Sequence, residues 1–197
     1  MADRKTGSLT TGDWTRAALQ ALAAGGLPAI AVEPLAKELG TTKGSFYWHF
    51  ADRNALISAT LARWEERETD LVIATVEQTG GAATRLRSLV RLVFAAVGTE
   101  PGRSAGSVEL ALQAHVAHPL VSAALARVTE RRLVYLTDLY TELGLSPARA
   151  RDRGLLAYSA FLGHAQIAHA TPELLPQGRA YATHVGRVVD TLVRVGD

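Results

Sequence analysis

The chain has 197 residues, 48% of them hydrophobic, no cysteine, and a formal net charge of only +2. Enough apolar mass is present for a substantial core, which excludes a disordered chain, and the lack of cysteine excludes a disulfide framework and a thiolate metal site. The near balance of charge means that any nucleic-acid binding has to come from a local patch, not from the field of the whole surface.

The N-terminus, MADRKTGSLTTGDW, is polar and has no apolar core of a signal peptide, and no run of about 18 apolar residues follows, so a soluble cytoplasmic protein is expected. Alanine, leucine and arginine dominate, and strand-like alternation is scarce, which predicts an all-α fold of about nine helices. The first is expected over Asp13–Ala24, with Trp14, Ala18 and Leu22 on its apolar face, Asp13 as cap and Gly25-Gly26 as stop. A short helix over Val32–Leu39 ends at Gly40, and another over Lys43–His49 is capped by Thr41 or Thr42. Asp52 is placed to cap a long fourth helix that runs to about Gln78. Further helices are expected over Ala83–Val97, Ser104–Ala117, Leu120–Leu143, Pro147–Ala170 and Pro176–Val195, with the prolines in or just before first turns.

Within this pattern GTTKGSFYWHF, Gly40 to Phe50, concentrates rings beside a lysine, two threonines and a serine. On a helix Phe46 and Phe50 share one face and pack inward against Leu35, Ala36 and Leu39, while Lys43 and Tyr47 share a neighbouring face that stays outward. Two short helices joined by a glycine turn make a helix-turn-helix, whose second helix enters a DNA major groove N-terminus first. Lys43 can then reach guanine acceptors or a phosphate. Gly44 permits close backbone approach, Thr42 and Ser45 donate to phosphates or bases, and Tyr47 offers a ring and a hydroxyl. His49 and Arg53 fall at the far edge, beside backbone phosphates. The same arrangement of helix, glycine turn and helix also occurs in helical proteins that never meet DNA.

The stretch AIAVEPLAKELGTTKGSFYWHFADRNALI, Ala29 to Ile57, closely resembles the DNA-binding domain of the TetR family of bacterial transcriptional regulators. The resemblance extends back over the first helix from Trp14 to Gly25. It implies a three-helix DNA-binding domain over residues 8–60, with its motif at about 31–50, and a larger helical effector-binding and dimerisation domain over residues 61–197. It also implies DNA contacts at Thr42, Lys43, Gly44, Ser45, Tyr47 and His49, with Arg53 at a phosphate-contacting position. One departure concerns the second helix, where Ala31 and Val32 stand in place of the usual serine or threonine cap and Pro34 occupies the first turn.

The family layout further implies a homodimer on a palindromic operator and a small-molecule effector that releases a repressor. An activator of the same fold, or a ligand-binding protein with a vestigial DNA-binding part, is the alternative. Small residues at Ala157, Ala160, Gly163 and Ala168, and the apolar repeat of the last helix, point to a partner helix pair. The candidate dimer residues are Tyr158, Leu162, Gly163, Gln166, Val185, Val189 and Leu192. Polar or ring-bearing residues that punctuate apolar helices supply the candidate ligand pocket: Trp64, Glu109, Gln113, His115, Tyr158 and Phe161. His115 and His118, three apart, offer two metal ligands on one face, and a third and fourth would have to come from Glu109 or another helix; such a lone pair is more often solvated or hydrogen-bonded structure, so no metal and no cofactor is expected. No phosphate loop, dinucleotide fingerprint or nucleophile elbow occurs, and no catalytic residue is assigned.

Overall fold

The computed structural model describes residues 9–97 and 106–194, and it is all-helical over them. Helix α1 spans Thr11–Gly25. It starts two residues before the expected Asp13, because Thr10 caps it through a reciprocal box. The Asp13 amide donates to Thr10 Oγ1 at 3.2 Å, and the Thr10 amide donates to Asp13 Oδ2 at 2.9 Å. Helix α2 (Val32–Glu38) begins at Ala31 with no side-chain cap, as its sequence implied. Helix α3 (Lys43–Tyr47) is capped by Thr42 and is shorter than the expected Lys43–His49; Trp48 ends it.

Asp52 caps α4 (Arg53–Glu65) by accepting from the Ala55 amide at 2.8 Å. A π turn over Glu66–Asp70 then leads without a break into α5 (Leu71–Glu77). The expected long fourth helix therefore exists, with a bulge that periodicity does not reveal. The Glu68 carbonyl within the bulge accepts from Arg132 at 3.1 Å, so a side chain from another helix is bonded to the widened turn.

Helix α6 covers Ala82–Val97, and α7 covers Ser107–Gln113. The expected start of α7, Ser104, lies outside the described residues. The helix ends at Gln113, before the expected Ala117, and His118, the residue before Pro119, is extended with ψ of 123°. Helices α8 (Pro119–Glu142) and α9 (Pro147–Ala170) form an antiparallel pair, and Ser146 caps the second. Helix α10 runs over Gly178–Val193. Its expected first turn at Pro176 is instead a loop, where Gln177 Nε2 donates back to the Pro172 and Leu175 carbonyls; the expected end, Val195, lies outside the described residues. If α4, the π turn and α5 count as one, nine helices are present among the described residues.

Two apolar cores result. The first joins Trp14, Leu22, Leu35, Phe46, Leu56 and Trp64, and it also takes in Val108 and Leu112 of α7 and Val121, Ala124 and Val128 of α8. The second joins α6, the later part of α8, α9 and α10. Val185, Val189 and Leu192 belong to it: they are buried in the second core of the same chain, with Leu86, Val90 and Phe94 of α6. The apolar repeat that nominated them as dimer residues is covered by packing within this chain. The ends of α10 are also tied down. Tyr140 donates to the Leu192 carbonyl at 2.7 Å, and Tyr181 donates to the Phe94 carbonyl at 2.6 Å.

Candidate nucleic-acid interface and the cavity behind it

Helix α3 is anchored by aromatic packing. Phe46 is fully buried, edge-on to Trp14 at 5.4 Å and stacked on Phe50 at 5.5 Å. That anchor fixes which rings face out: Tyr47 is 57% exposed and Trp48 is 89% exposed. Thr42, Lys43 and Gly44 are exposed at the helix start, and Ser45 and His49 are half-buried. A Cβ on Gly44 would meet only Thr42 Oγ1, at 3.5 Å, so the backbone there is open to a close approach.

Trp48 was not among the residues singled out from the sequence. The signal was present, since Trp48 sits two residues on from Phe46, about 200° round the helix and opposite the buried face. Lys43 Nζ is 2.9 Å from Glu33 Oε1 of α2, and both groups are exposed. Hydrogen bonding to Lys43 holds the Glu33 carboxyl below its usual range, and the same bond raises Lys43. Arg53 is a strut as well as a surface cation: its Nε donates to the Ile30 carbonyl at 2.6 Å and its Nη2 to the Leu27 carbonyl at 2.8 Å. It thereby stitches the start of α4 to the link between α1 and α2. Nη1 takes no part in that clasp.

Behind this head lies a cavity of about 580 Å³, bordered by α1, the π turn, α5, α6, α7, α8 and α9. Of the residues nominated from sequence, Tyr158 and Phe161 line it. Glu109, 2% exposed, stands just behind, accepting from the Tyr158 hydroxyl at 2.5 Å and from Arg132 Nη1 at 2.5 Å. Trp64 is fully buried outside the lining, 5.9 Å from the Arg132 guanidinium. Gln113 is exposed at the end of α7, and His115 packs over the α1 stop, so neither reaches the cavity. A Cβ on Gly26 would lie 2.8 Å from His115 Nε2.

Among the polar lining residues that sequence reasoning missed are Glu68, Thr69, Arg132 and Tyr135, beside Arg16, Gln20, Arg67 and Ser107. Charges on long helices are usually solvated, so nothing in the pattern distinguished Glu68 and Arg132 from surface residues. Burial raises the Glu68 carboxyl, against the opposing pull of Arg132. Burial, and then the charge of Glu109, pushes the Tyr158 hydroxyl up to about 12.

Elsewhere on α9, Tyr158 lines the cavity, whereas Leu162 is half-buried and Gly163 and Gln166 are exposed. Leu155, Leu156 and Ile167 are exposed beside them. No group of three or more His, Asp or Glu arranged for a metal occurs among the described residues, and none of the described helices is long and apolar enough to cross a membrane.

The described residues thus form an all-α fold with an N-terminal helix-turn-helix and a larger helical half. Residues 15–60 match the model of the bacterial regulatory proteins of the tetR family, and the chain's N-terminal domain is of that family. No curated protein matches the sequence. Among solved structures, a transcriptional regulator from Rhodococcus sp. Rha1 is similar with a TM-score of 0.73 at 18% identity, over 94% of each chain. A TetR-family transcriptional regulator from Streptomyces coelicolor gives 0.67 at 21% identity, over 93% of this chain and 87% of that one. A regulator-fold protein from Saccharomonospora viridis, solved in complex with choline, gives 0.74 at 18% identity, over 91% and 95%.

Proposed function

We propose that the protein is a ligand-released repressor that binds a palindromic operator as a homodimer in the cytoplasm. The observation that carries the DNA-reading part is the outward surface of α3: Lys43, Tyr47 and Trp48 stand exposed on a helix locked from behind by Trp14, Phe46 and Phe50. In this reading Lys43 and Tyr47 contact base edges, Gly44 lets the backbone close in, and Thr42, Ser45, His49 and Arg53 position the phosphates. Lys43 exchanges Glu33 for DNA when it binds. The dimer forms through the outer face of α9, around Leu162, Gly163 and Gln166 with Leu155, Leu156 and Ile167. A two-fold protein matches a two-fold site.

The effector occupies the cavity. The likeness to a structure solved in complex with choline supports a small organic molecule as the effector. Coupling follows from shared elements. The π turn that borders the cavity is continuous with α4, and α4 begins at Arg53, which is bonded to the link between α1 and α2. Helix α7 borders the cavity through Ser107 and Val108 while Val108 and Leu112 sit in the head's core. A ligand that prefers one arrangement of these helices biases the spacing of two reading heads.

The test is selection from a random duplex pool, with wild type beside the Lys43→Ala/Tyr47→Ala variant. Wild type enriches an inverted repeat and the variant does not. Loss of the Tyr47 base contact alone weakens the selected site by about 1–3 kcal/mol. A folded wild-type protein that enriches no sequence sinks the reading.

A further inference from the structure

The charges at the inner end of the cavity do not balance. Two carboxylates, Glu68 and Glu109, face one guanidinium, Arg132. Every nitrogen of Arg132 is already engaged. Nε donates to Thr69 Oγ1 at 3.0 Å, Nη1 to Glu109 Oε2 at 2.5 Å, and Nη2 to the Glu68 main-chain oxygen at 3.1 Å. Its guanidinium carbon also lies 5.9 Å from the Trp64 ring centroid and 6.0 Å from that of Tyr158. Arg132 is therefore held as an internal strut, with its charge already opposed by Glu109. Both oxygens of Glu109 are occupied as well, one by Tyr158 and one by Arg132.

With Arg132 and Glu109 cancelling, Glu68 is left unbalanced at this end of the wall. Burial opposes its ionisation. An incoming positive charge removes that penalty, whereas an incoming carboxylate adds a second uncompensated negative charge in a poorly solvated place. Beyond this end the wall is apolar, with Val72, Ile73, Val93, Leu136 and Phe161. We infer that the cavity takes an amphiphilic organic cation, an apolar skeleton carrying one positively charged nitrogen that sits against Glu68. This rests on the reading of the cavity as the effector site. Arg16 and Arg67 also border the cavity, but both are exposed, and Arg16 is paired with Asp13. Water and salt weaken their hold on an anionic head.

The experiment is calorimetric titration of the full chain with three ten-carbon probes: decylamine, which is protonated at neutral pH, decan-1-ol and decanoate. Decylamine binds about tenfold tighter than decanol, as one charge-assisted hydrogen bond provides, and decanoate binds weakest. Glu68→Gln abolishes the amine's advantage and leaves decanol unchanged. Val93→Trp, which narrows the apolar part, weakens all the probes and ties them to this cavity.

Three outcomes overturn the inference: decanoate binding as tightly as the amine, an amine preference that survives Glu68→Gln, or no binding of any probe. If decanoate binds tightly and Arg67→Gln abolishes it, the head group belongs at the exposed arginines instead. Pool selection on the same preparation is scored separately. Operator enrichment without an amine preference sinks only the ligand class, and an amine preference without enrichment sinks only the regulator reading.

Discussion

The reading head and the cavity handle polar groups in opposite ways. On α3 the apolar rings are inside and the polar groups stand in water, where each is free to exchange its partner; the Lys43–Glu33 pair is exposed on both sides. In the cavity wall the polar groups are inside and committed to one another, with Arg132 holding Glu109, Thr69 and the Glu68 carbonyl at once. A surface built for DNA has to give up its bonds cheaply, because phosphates and bases must replace them. A cavity wall has to keep its bonds, because an unpaired charge there is costly. Substitutions in the two regions should therefore differ in kind, with stability lost from the cavity and DNA affinity changed at the head.

The largest effect is expected at Glu109. Glu109→Ala leaves Arg132 and the Tyr158 hydroxyl without their buried acceptor and should destabilise folding by about 3–5 kcal/mol. Urea denaturation checks it, and a loss below about 1 kcal/mol, the range of exposed pairs, would erase the contrast between the two regions. Gly26→Ala comes next, at the boundary between them. Gly26 has φ of +68° and a Cβ there would lie 2.8 Å from His115 Nε2. The backbone at φ +68° and ψ −170°, a region kept essentially to glycine, alone costs about 1–3 kcal/mol. If α7 carries the coupling, the same change also alters ligand release of DNA, and Gly26→Ala/His115→Ala restores part of the stability but not the backbone cost.

At the head the sign reverses. Glu33→Gln should leave thermal stability unchanged, because the pair is exposed. It frees Lys43 and removes a negative charge beside the DNA, so binding to every duplex should tighten, most at low salt. Filter binding at two salt concentrations checks it. Weaker binding would mean that Glu33 orients Lys43 for its base rather than competing for it.

How much was legible follows the same division. The inward pair Phe46 and Phe50 and the outward Tyr47 follow from helical spacing within one short element, and the structure places them so. Trp48 follows from the same wheel. The long fourth helix was visible as periodicity and a cap at Asp52, but its π turn was not, since one extra residue in a turn leaves composition unchanged. Glu68 and Arg132 are 64 positions apart on helices that read as ordinary charged surfaces; only their packing makes them interior. Val185, Val189 and Leu192 gave a clear apolar stripe, yet a stripe states that a face is covered, not by which helix. Here α6 of the same chain covers it.

The smallest effect tests a cluster that belongs to neither region. His164 of α9 stacks on His184 of α10 with centroids 5.3 Å apart, and its Nε2 is 3.1 Å from the Tyr181 hydroxyl. Burial, and then the charge of His184, lowers the His164 pKa from its ordinary 6.5. The folded state therefore resists protonation that the unfolded chain accepts. Stability from this group is full above about 6.5, falls as pH drops below that value, and levels off once pH is below the lowered folded pKa. Melting temperature measured across that window should decline for wild type and decline less for His164→Gln, which keeps a polar group near Tyr181 but cannot titrate. The loss should fall on the contact of α10 with α6, since Tyr181 bonds the Phe94 carbonyl there. An identical decline in the variant would place the titration elsewhere and reduce this cluster to packing. DNA affinity, measured in the same window on protein that remains folded, should be the same for wild type and His164→Gln, which keeps the two halves of the molecule separable by experiment.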